Sequence, residues 1–273
     1  MSYFRFAQRT VIGIEGPDAR AFLQGLVSND VRRVADNGFV YALMLTPKGK
    51  LLYDSFIIEK SEKILLDIPK PHIEEIFQKF QLYKLKSEII IADLSKSHYV
   101  LGSSDRLNDM FFRDPRHEGL GYRAIVENLL PYSQLEPEDD NIDYEKQRMS
   151  LLIPDVITDM IPGTHFPLEL GLDEFNAIDY KKGCYIGQEV VARTHYLGVV
   201  RKKIYRVKLI SGSAPRPSLD IFYNERKIGE TLGMVQSQGL TLLRIEEVEN
   251  ITSEDALLQV DDAVLRLCRH QYS

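Results

Sequence analysis

A change of texture near Val199 constrains this fold more than any other feature of the sequence. Downstream of it, Lys203 to Leu209, Ser218 to Phe222, Leu240 to Ile245, Ala256 to Val260 and Ala263 to Leu267 all read as strands, separated by Gly and Pro turns and charged breaks. Several short strands in succession predict a small barrel. Upstream, strands and helices alternate. Thr10 to Ile14 reads as a strand, and Gly16-Pro17-Asp18 opens a helix whose Ala19, Phe22, Leu23 and Leu26 share one face. Val40 to Leu45 and Leu51 to Ile58 are strand-like and joined by the turn Pro47-Lys48-Gly49-Lys50. Ile64 to Ile68 follows, then a helix from Pro71 with Ile73, Ile76, Phe77 and Phe80 on one face, then Ile89 to Ala92. Tyr99 to Leu101, Phe111-Phe112 and Tyr122 to Val126 repeat the theme as short strands. The acidic stretch Glu136 to Asp140 reads as a loop into a helix over Tyr144 to Leu152, after which Pro154, Pro162 and Pro167 keep the chain irregular. The expected class is α+β: a two-part core with segments 1–95 and 96–200, followed by a C-terminal β-barrel over 201–273.

Composition narrows the function classes. The net charge of −6 argues against extended nucleic-acid contact, so direct nucleic-acid binding is not expected. Two cysteines far apart, Cys184 and Cys268, make no disulfide framework and no metal-ligand cluster, and fit a reducing compartment. No apolar run approaches a membrane span, and the N-terminus has neither a signal core nor a Ser/Arg-rich transit character. A cytoplasmic protein is the expectation.

The chemistry concentrates in Lys181-Lys182-Gly183-Cys184-Tyr185-Ile186-Gly187-Gln188-Glu189 and the following Val190 to His195. Glycine permits tight turns and close backbone approach, which Gly183 and Gly187 would supply around the cysteine. Gln188 and Glu189 open a helix that carries Arg193. Cys184 thus precedes a helix N-terminus and follows Lys182 by two residues, and both features favour thiolate over thiol. Two plainer readings stand beside this one: Cys184 as a small buried hydrophobe in a turn, and a Cys184–His195 pair brought together only by the fold. Cys268 sits in a strand pattern and reads as core. Arg201-Lys202-Lys203, Lys181-Lys182 and Arg193 read either as a solvated face or as a basic patch for an acidic ligand or partner.

Lys182-Gly183-Cys184-Tyr185-Ile186-Gly187-Gln188-Glu189 with Arg193 resembles the K-G-C-Y-x-G-Q-E-x-x-x-R pattern of the YgfZ family, a distant relative of the glycine-cleavage T-protein. Three further blocks are similar to that family. They are Gly16 to Gly25 with Asn29-Asp30-Val31, Leu45-Thr46-Pro47-Lys48-Gly49-Lys50, and Phe166-Pro167-Leu168-Glu169-Leu170-Gly171-Leu172-Asp173. The resemblance implies a folate-binding core like that of the aminomethyltransferases, ahead of the barrel. It implies tetrahydrofolate or a derivative as cofactor, near Tyr144, Arg148, Phe166 and Glu169. It further implies support of assembly or repair of iron–sulfur enzymes, tRNA-modifying ones included, through transient contact with those enzymes or with cluster-assembly proteins. Cys184 and Lys182 would carry the chemistry, with Gly183, Tyr185, Gly187, Gln188, Glu189 and Arg193 supporting them. Two departures stand out. Leu152 occupies the place of a Gly in the family's R-x-x-x-G-x-P run, here Arg148 to Pro154, and the T-protein's paired acids after the hairpin are reduced to Asp54. The second favours an accessory factor over a classical aminomethyltransferase; a folate-dependent one-carbon transferase and a docking scaffold without folate are the alternatives.

Overall fold

The structure is a computed structural model that describes residues 3–132, 141–252 and 255–268. The expected loop over 136–140 lies outside the described residues. The chain divides into two compact units, Met1–Asn141 with Asp173–Gln188, and Ile142–Leu172 with Glu189–Ser273.

The first unit contains two antiparallel sheets. Its elements are β1 (Phe4–Arg5), β2 (Arg9–Glu15), α1 (Ala19–Gln24), α2 (Val34–Asn37), β3 (Phe39–Leu45), β4 (Leu51–Lys60), β5 (Lys63–Pro69), α3 (Ile73–Lys84), β6 (Ile90–Asp93), β7 (Tyr99–Ser103), β8 (Phe112–Arg113) and β9 (Tyr122–Val126). The larger sheet has the order β3-β4-β5-β2-β6 and the smaller β1-β7-β9-β8. β-Branched and aromatic residues dominate these strands, which suits a pleated surface. One face of the larger sheet, with Ile12, Ile14, Val40, Ala42, Ile57 and Leu66, is covered by α1 and α3, whose Phe22 and Phe80 rings meet edge to face at 5.7 Å.

The opposite face of that sheet carries charge and is also buried. Arg9 donates to Asp67 Oδ1 and to Asp54 Oδ1, both at 2.6 Å. Arg123, from β9 in the smaller sheet, donates to the other oxygen of Asp67 at 2.6 Å and lies 3.5 Å from Asp114. Arg116 donates to Asp114 at 2.8 Å. Three arginines thus alternate with three aspartates, and the Phe56 ring packs under the guanidiniums of Arg123, Arg116 and Arg9 at 3.8, 4.8 and 5.3 Å. This neutral chain ties the two sheets together.

The second unit holds α4 (Ile142–Ser150), α5 (Gln188–Leu197, its first residue in the other unit), β10 (Lys202–Ser211), β11 (Asp220–Tyr223), β12 (Arg226–Val235), β13 (Gln238–Arg244), α6 (Ile245–Glu249), β14 (Leu257–Val260) and β15 (Ala263–Cys268). Six strands close into a barrel of order β10-β13-β12-β11-β14-β15 around Val207, Ile221, Ile228, Leu243, Leu258 and Leu265. The strand β12 is absent from the sequence reading because its charges and two glycines resemble a break. Both glycines are required by proximity: a Cβ on Gly229 would lie 2.2 Å from the Leu242 carbonyl, and one on Gly233 would lie 1.7 Å from the Asp159 carboxylate.

The compact units differ from the linear segments 1–95 and 96–200. β1 pairs with β7, Phe4 opposite Gly102, so the first strand belongs to the second sheet. Residues 142–172 fall in the unit that contains the barrel. Helix starts differ locally as well: α1 begins at Ala19, after Asp18 at the N-cap position, and a 3₁₀ turn over Lys70–His72 precedes α3. No described helix is long and apolar enough to cross a membrane.

Candidate functional site

Three segments of the first unit converge on the cysteine loop. Asp179 N–H donates to Ser28 O at 3.1 Å and Ile186 N–H to Gly25 O at 3.3 Å. Ser28 Oγ donates to Ala177 O at 2.5 Å, and Asn29 Nδ2 to Asn176 O at 2.6 Å. The loop after α1 and the segment 176–186 are therefore laced by two backbone–backbone bonds and two side-chain donors to backbone carbonyls. Gly187 supplies the third contact. Its φ is +84°, and a Cβ there would lie 2.6 Å from Thr46 O and 3.2 Å from Gly49 Cα. Only glycine fits that close approach to the β3–β4 turn. The turn is closed by Thr46 N–H to Lys50 O and Gly49 N–H to Thr46 O, both 2.8 Å.

Within this frame Cys184 is exposed. Gly183 is exposed too, and a Cβ placed on it meets nothing within 4 Å, so crowding does not demand glycine there. Tyr185 is buried, and burial, with Asp179 second, pushes its hydroxyl up to about 12. Lys181 is exposed.

Lys182 corrects the expectation placed on it. It is 5% exposed, and its Nζ donates to Gln24 O at 2.9 Å, Val27 O at 2.5 Å and Asn29 O at 2.9 Å. An ammonium has three donors, so none is left to hold a thiolate at Cys184. The ammonium joins the last carbonyl of α1, Gln24 O, to those of Val27 and Asn29 in the loop that follows, and stands 5.0 Å from the Tyr185 ring centroid. Burial pushes it down to about 8, against the pull of Asp30 and Asp179. Its role is to fasten the cysteine loop to α1. The carbonyls that receive it were missed from sequence, although Gln24 and Asn29 fall within the Gly16 to Gly25 and Asn29 to Val31 blocks that carried part of the resemblance.

Gln188 and Glu189 begin α5, as expected, with Gln188 half-buried and Glu189 exposed. Arg193 is exposed on the same helix, as is His195, which packs edge to face on Tyr196 at 4.8 Å. Cys268 is half-buried in β15 rather than a core residue.

The expected cofactor contacts all fall in the second unit. Arg148 is 1% exposed and fully engaged. It bonds Asp159 through both terminal nitrogens at 2.6 and 3.2 Å, Glu145 at 2.7 Å, Ile153 O at 3.3 Å and Thr158 Oγ1 at 3.3 Å. No donor remains for a ligand, so this residue serves the fold. Burial alone would lower it, and Asp159 and Glu145 more than reverse that, holding it above its ordinary value. Tyr144 and Phe166 are half-buried. Glu169 lines a cavity of about 760 Å³ together with Arg201, Lys202, Arg226 and Arg244 and with Glu246, Glu247 and Glu249, Glu247 pairing with Arg226 at 2.7 Å; Tyr144, Arg148 and Phe166 are not part of that wall.

Leu152 stands at the closing position of α4. Leu152 N–H donates to Met149 O at 3.1 Å and Ile153 N–H to Arg148 O at 2.9 Å, the two bonds of a Schellman helix end. The closing residue of that motif is left-handed, and Leu152 holds φ +57° where glycine is usual.

A second cavity, of about 380 Å³, opens in the first unit against Asn29, Tyr41, Arg33, Arg113, Arg116 and Asn176. Sequence reading missed it. The signal was present in Asn29 of the Asn29-Asp30-Val31 block, whose amide joins Tyr41 O at 2.9 Å and Asn176 O at 2.6 Å.

Residues 201–272 match the family model described as CAF17, C-terminal beta-barrel domain. Over 77% of its length the chain is 31% identical to the mitochondrial iron-sulfur cluster assembly factor IBA57 homolog of Mycosarcoma maydis, and spans 58% of that protein. Over 96% of its length it is 29% identical to mitochondrial IBA57 of Mus musculus, covering 84% of it. These names overturn the cytoplasmic expectation, since the relatives are mitochondrial; free thiols and an acidic balance read alike in any reducing compartment, so they could not select one. Among solved structures, the aminomethyltransferase T of the glycine cleavage system from Bartonella henselae superposes with a TM-score of 0.73 at 14% identity, over 98% of this chain and 84% of that one. The chain therefore has an aminomethyltransferase fold ending in a β-barrel, and its sequence is similar to mitochondrial iron–sulfur cluster assembly factors.

Proposed function

We propose that this chain is an accessory factor for assembly or repair of iron–sulfur enzymes, tRNA-modifying ones included, and that Cys184 supplies the sulfur that meets its redox or cluster partner. The observation that carries the reading is the exposure of Cys184 on a loop whose flanking residues, Lys182 and Tyr185, are buried and fixed. A soft sulfur held at the surface by a fastened backbone suits transient contact with iron. The similarity to proteins named as cluster assembly factors supports the same reading. The one-carbon transferase alternative has less support, because Asp54 is 2% exposed and accepts from Arg9 and Tyr41, which leaves it committed to the buried chain of charges.

A reduced folate is part of the proposal on the strength of the fold likeness. Of the four expected contacts Arg148 does not fit, since its donors are spent within the protein. Glu169 fits: it would accept from pterin N–H groups, and the neighbouring Arg201 and Arg244 would receive a carboxylate. When bound, the folate would supply a carrier for one-carbon or redox chemistry, while this chain's residues orient it.

Two measurements test the reading. Cys184→Ser should fold and melt like the parent, yet fail to restore client iron–sulfur enzyme activity in a deletion strain; full activity returns Cys184 to a structural role. Tetrahydrofolate at 100 times its dissociation constant should add about 2.7 kcal/mol to stability, and an unmoved melting temperature removes folate from the proposal.

A further inference from the structure

A small apolar cavity beside the cysteine loop is unexplained by the site described above. It holds about 150 Å³ and is walled by Leu26, Met44, Pro47, Leu52, Tyr83 and Ile186, a volume that in a protein interior takes up about one benzene ring. The apolar surface continues past Tyr83, with Leu82 69% and Leu85 85% exposed. Leu85 holds φ +46°, so a strained backbone displays this leucine to solvent. Scattered exposed leucines are ordinary, whereas two of them within two residues of the cavity-wall Tyr83 suit an interaction site.

The charge around the cavity names the partner's chemistry. Segments 46–52, 75–88 and 181–189, which contribute to its walls or adjoin them, carry seven lysines against three acids, Glu75, Glu88 and Glu189, in a chain of net charge −6. The lysines are Lys48, Lys50, Lys79, Lys84, Lys86, Lys181 and Lys182; Lys79 lines the cavity and also reaches Glu75 at 3.5 Å, and Lys182 is spent on backbone carbonyls. Ile186 forms part of the wall, two residues beyond the exposed Cys184.

We propose that this face docks an acidic segment of a partner protein, which inserts one large apolar side chain into the cavity and so comes to lie beside Cys184. The concave shape, sized for a single side chain and walled by Ile186 two residues from the thiol, favours a peptide over a flat anionic membrane, and the excess of lysines over acids supplies the complementary field. The proposal extends the accessory-factor reading to how its partner is held, and it rests on different residues from the thiol.

The probe is a fluorescein-labelled decapeptide of Glu and Ser with one central Phe, followed by anisotropy against the full chain. Saturable binding is expected. It should weaken at least tenfold when the central Phe is Ala, at least tenfold in Lys84→Glu/Lys86→Glu, and progressively with added salt. Both substitutions lie on the exposed surface or its edge, and an unchanged thermal melt verifies folding. Tyr83→Asp provides a second variant within the cavity wall and should also abolish binding. No binding, or equal binding by the Ala peptide or by the charge-reversed variant, overturns the proposal. Binding of phosphatidylserine vesicles but not the peptide assigns the face to membrane instead, and lysine-dependent self-association without peptide binding assigns it to a second copy; either overturns it. Cys184→Ser should keep peptide binding. If it also keeps client activity, the thiol reading falls while docking stands; if the peptide fails to bind the parent while Cys184→Ser still loses client activity, the reverse holds.

Discussion

Arg148 and Lys182 are both buried cations in segments expected to carry function, and they are neutralised in different ways. Arg148 meets two carboxylates, Asp159 and Glu145, and its charge is held above its ordinary strength. Lys182 meets three neutral carbonyls, the last of α1 and two in the loop after it, and burial draws it down to about 8. The first arrangement is a closed ion cluster whose members cannot be removed singly. The second is a fastening whose charge is expendable at high pH. Both place the cation out of reach of a ligand, so a functional motif can keep its most conspicuous cation for scaffolding and expose a smaller side chain beside it.

The comparison predicts the largest effect at Arg148. Arg148→Met should leave Asp159, 0% exposed, without its counter-ion and lower stability by about 3–5 kcal/mol in denaturant unfolding. A loss under about 1 kcal/mol would mean that Asp159 finds another partner and that the cluster is not closed.

Lys182→Met should be milder, about 1–3 kcal/mol at pH 7, because it strands backbone carbonyls and not a charge. The sharper test is its pH dependence. Between about 8 and 10.5 the unfolded chain retains a proton that the native chain has released, so native stability relative to the Met variant should rise with pH in that window. A difference that falls instead would show that the carbonyl cage binds the ammonium more strongly than burial opposes it.

The smallest effect should come at the residue that closes the helix of Arg148. Leu152→Gly relieves a left-handed non-glycine backbone and should raise stability by up to about 1 kcal/mol, with the loss of a half-buried side chain subtracting from that. Destabilisation by the glycine would show that Leu152 is held for its packing.

Much of the fold was legible because hydrophobic period and turn chemistry are local. Val40 to Leu45 and Leu51 to Ile58 with the Pro47 to Lys50 turn, and Tyr122 to Val126, were readable as strands and appear as such. The strand Arg226–Val235 was not, because its glycines answer to Asp159 and to the Leu242 carbonyl, neighbours that exist only after folding. Asp54 and Asp67 mislead for a related reason. In an alternating strand an acid reads as the solvent face, whereas here that face is covered and the acids are met by Arg9 and Arg123 from distant positions.

The exposed thiol and the glycine that its loop needs were legible in the local order of residues 181–188, since a left-handed turn or a flanking charge is written in consecutive residues. The partners were decided only in three dimensions. Lys182 stands two residues from Cys184 in the chain, yet its ammonium turns to the carbonyls at 24, 27 and 29, because a buried cation goes where its donors are satisfied and sequence distance sets no such geometry.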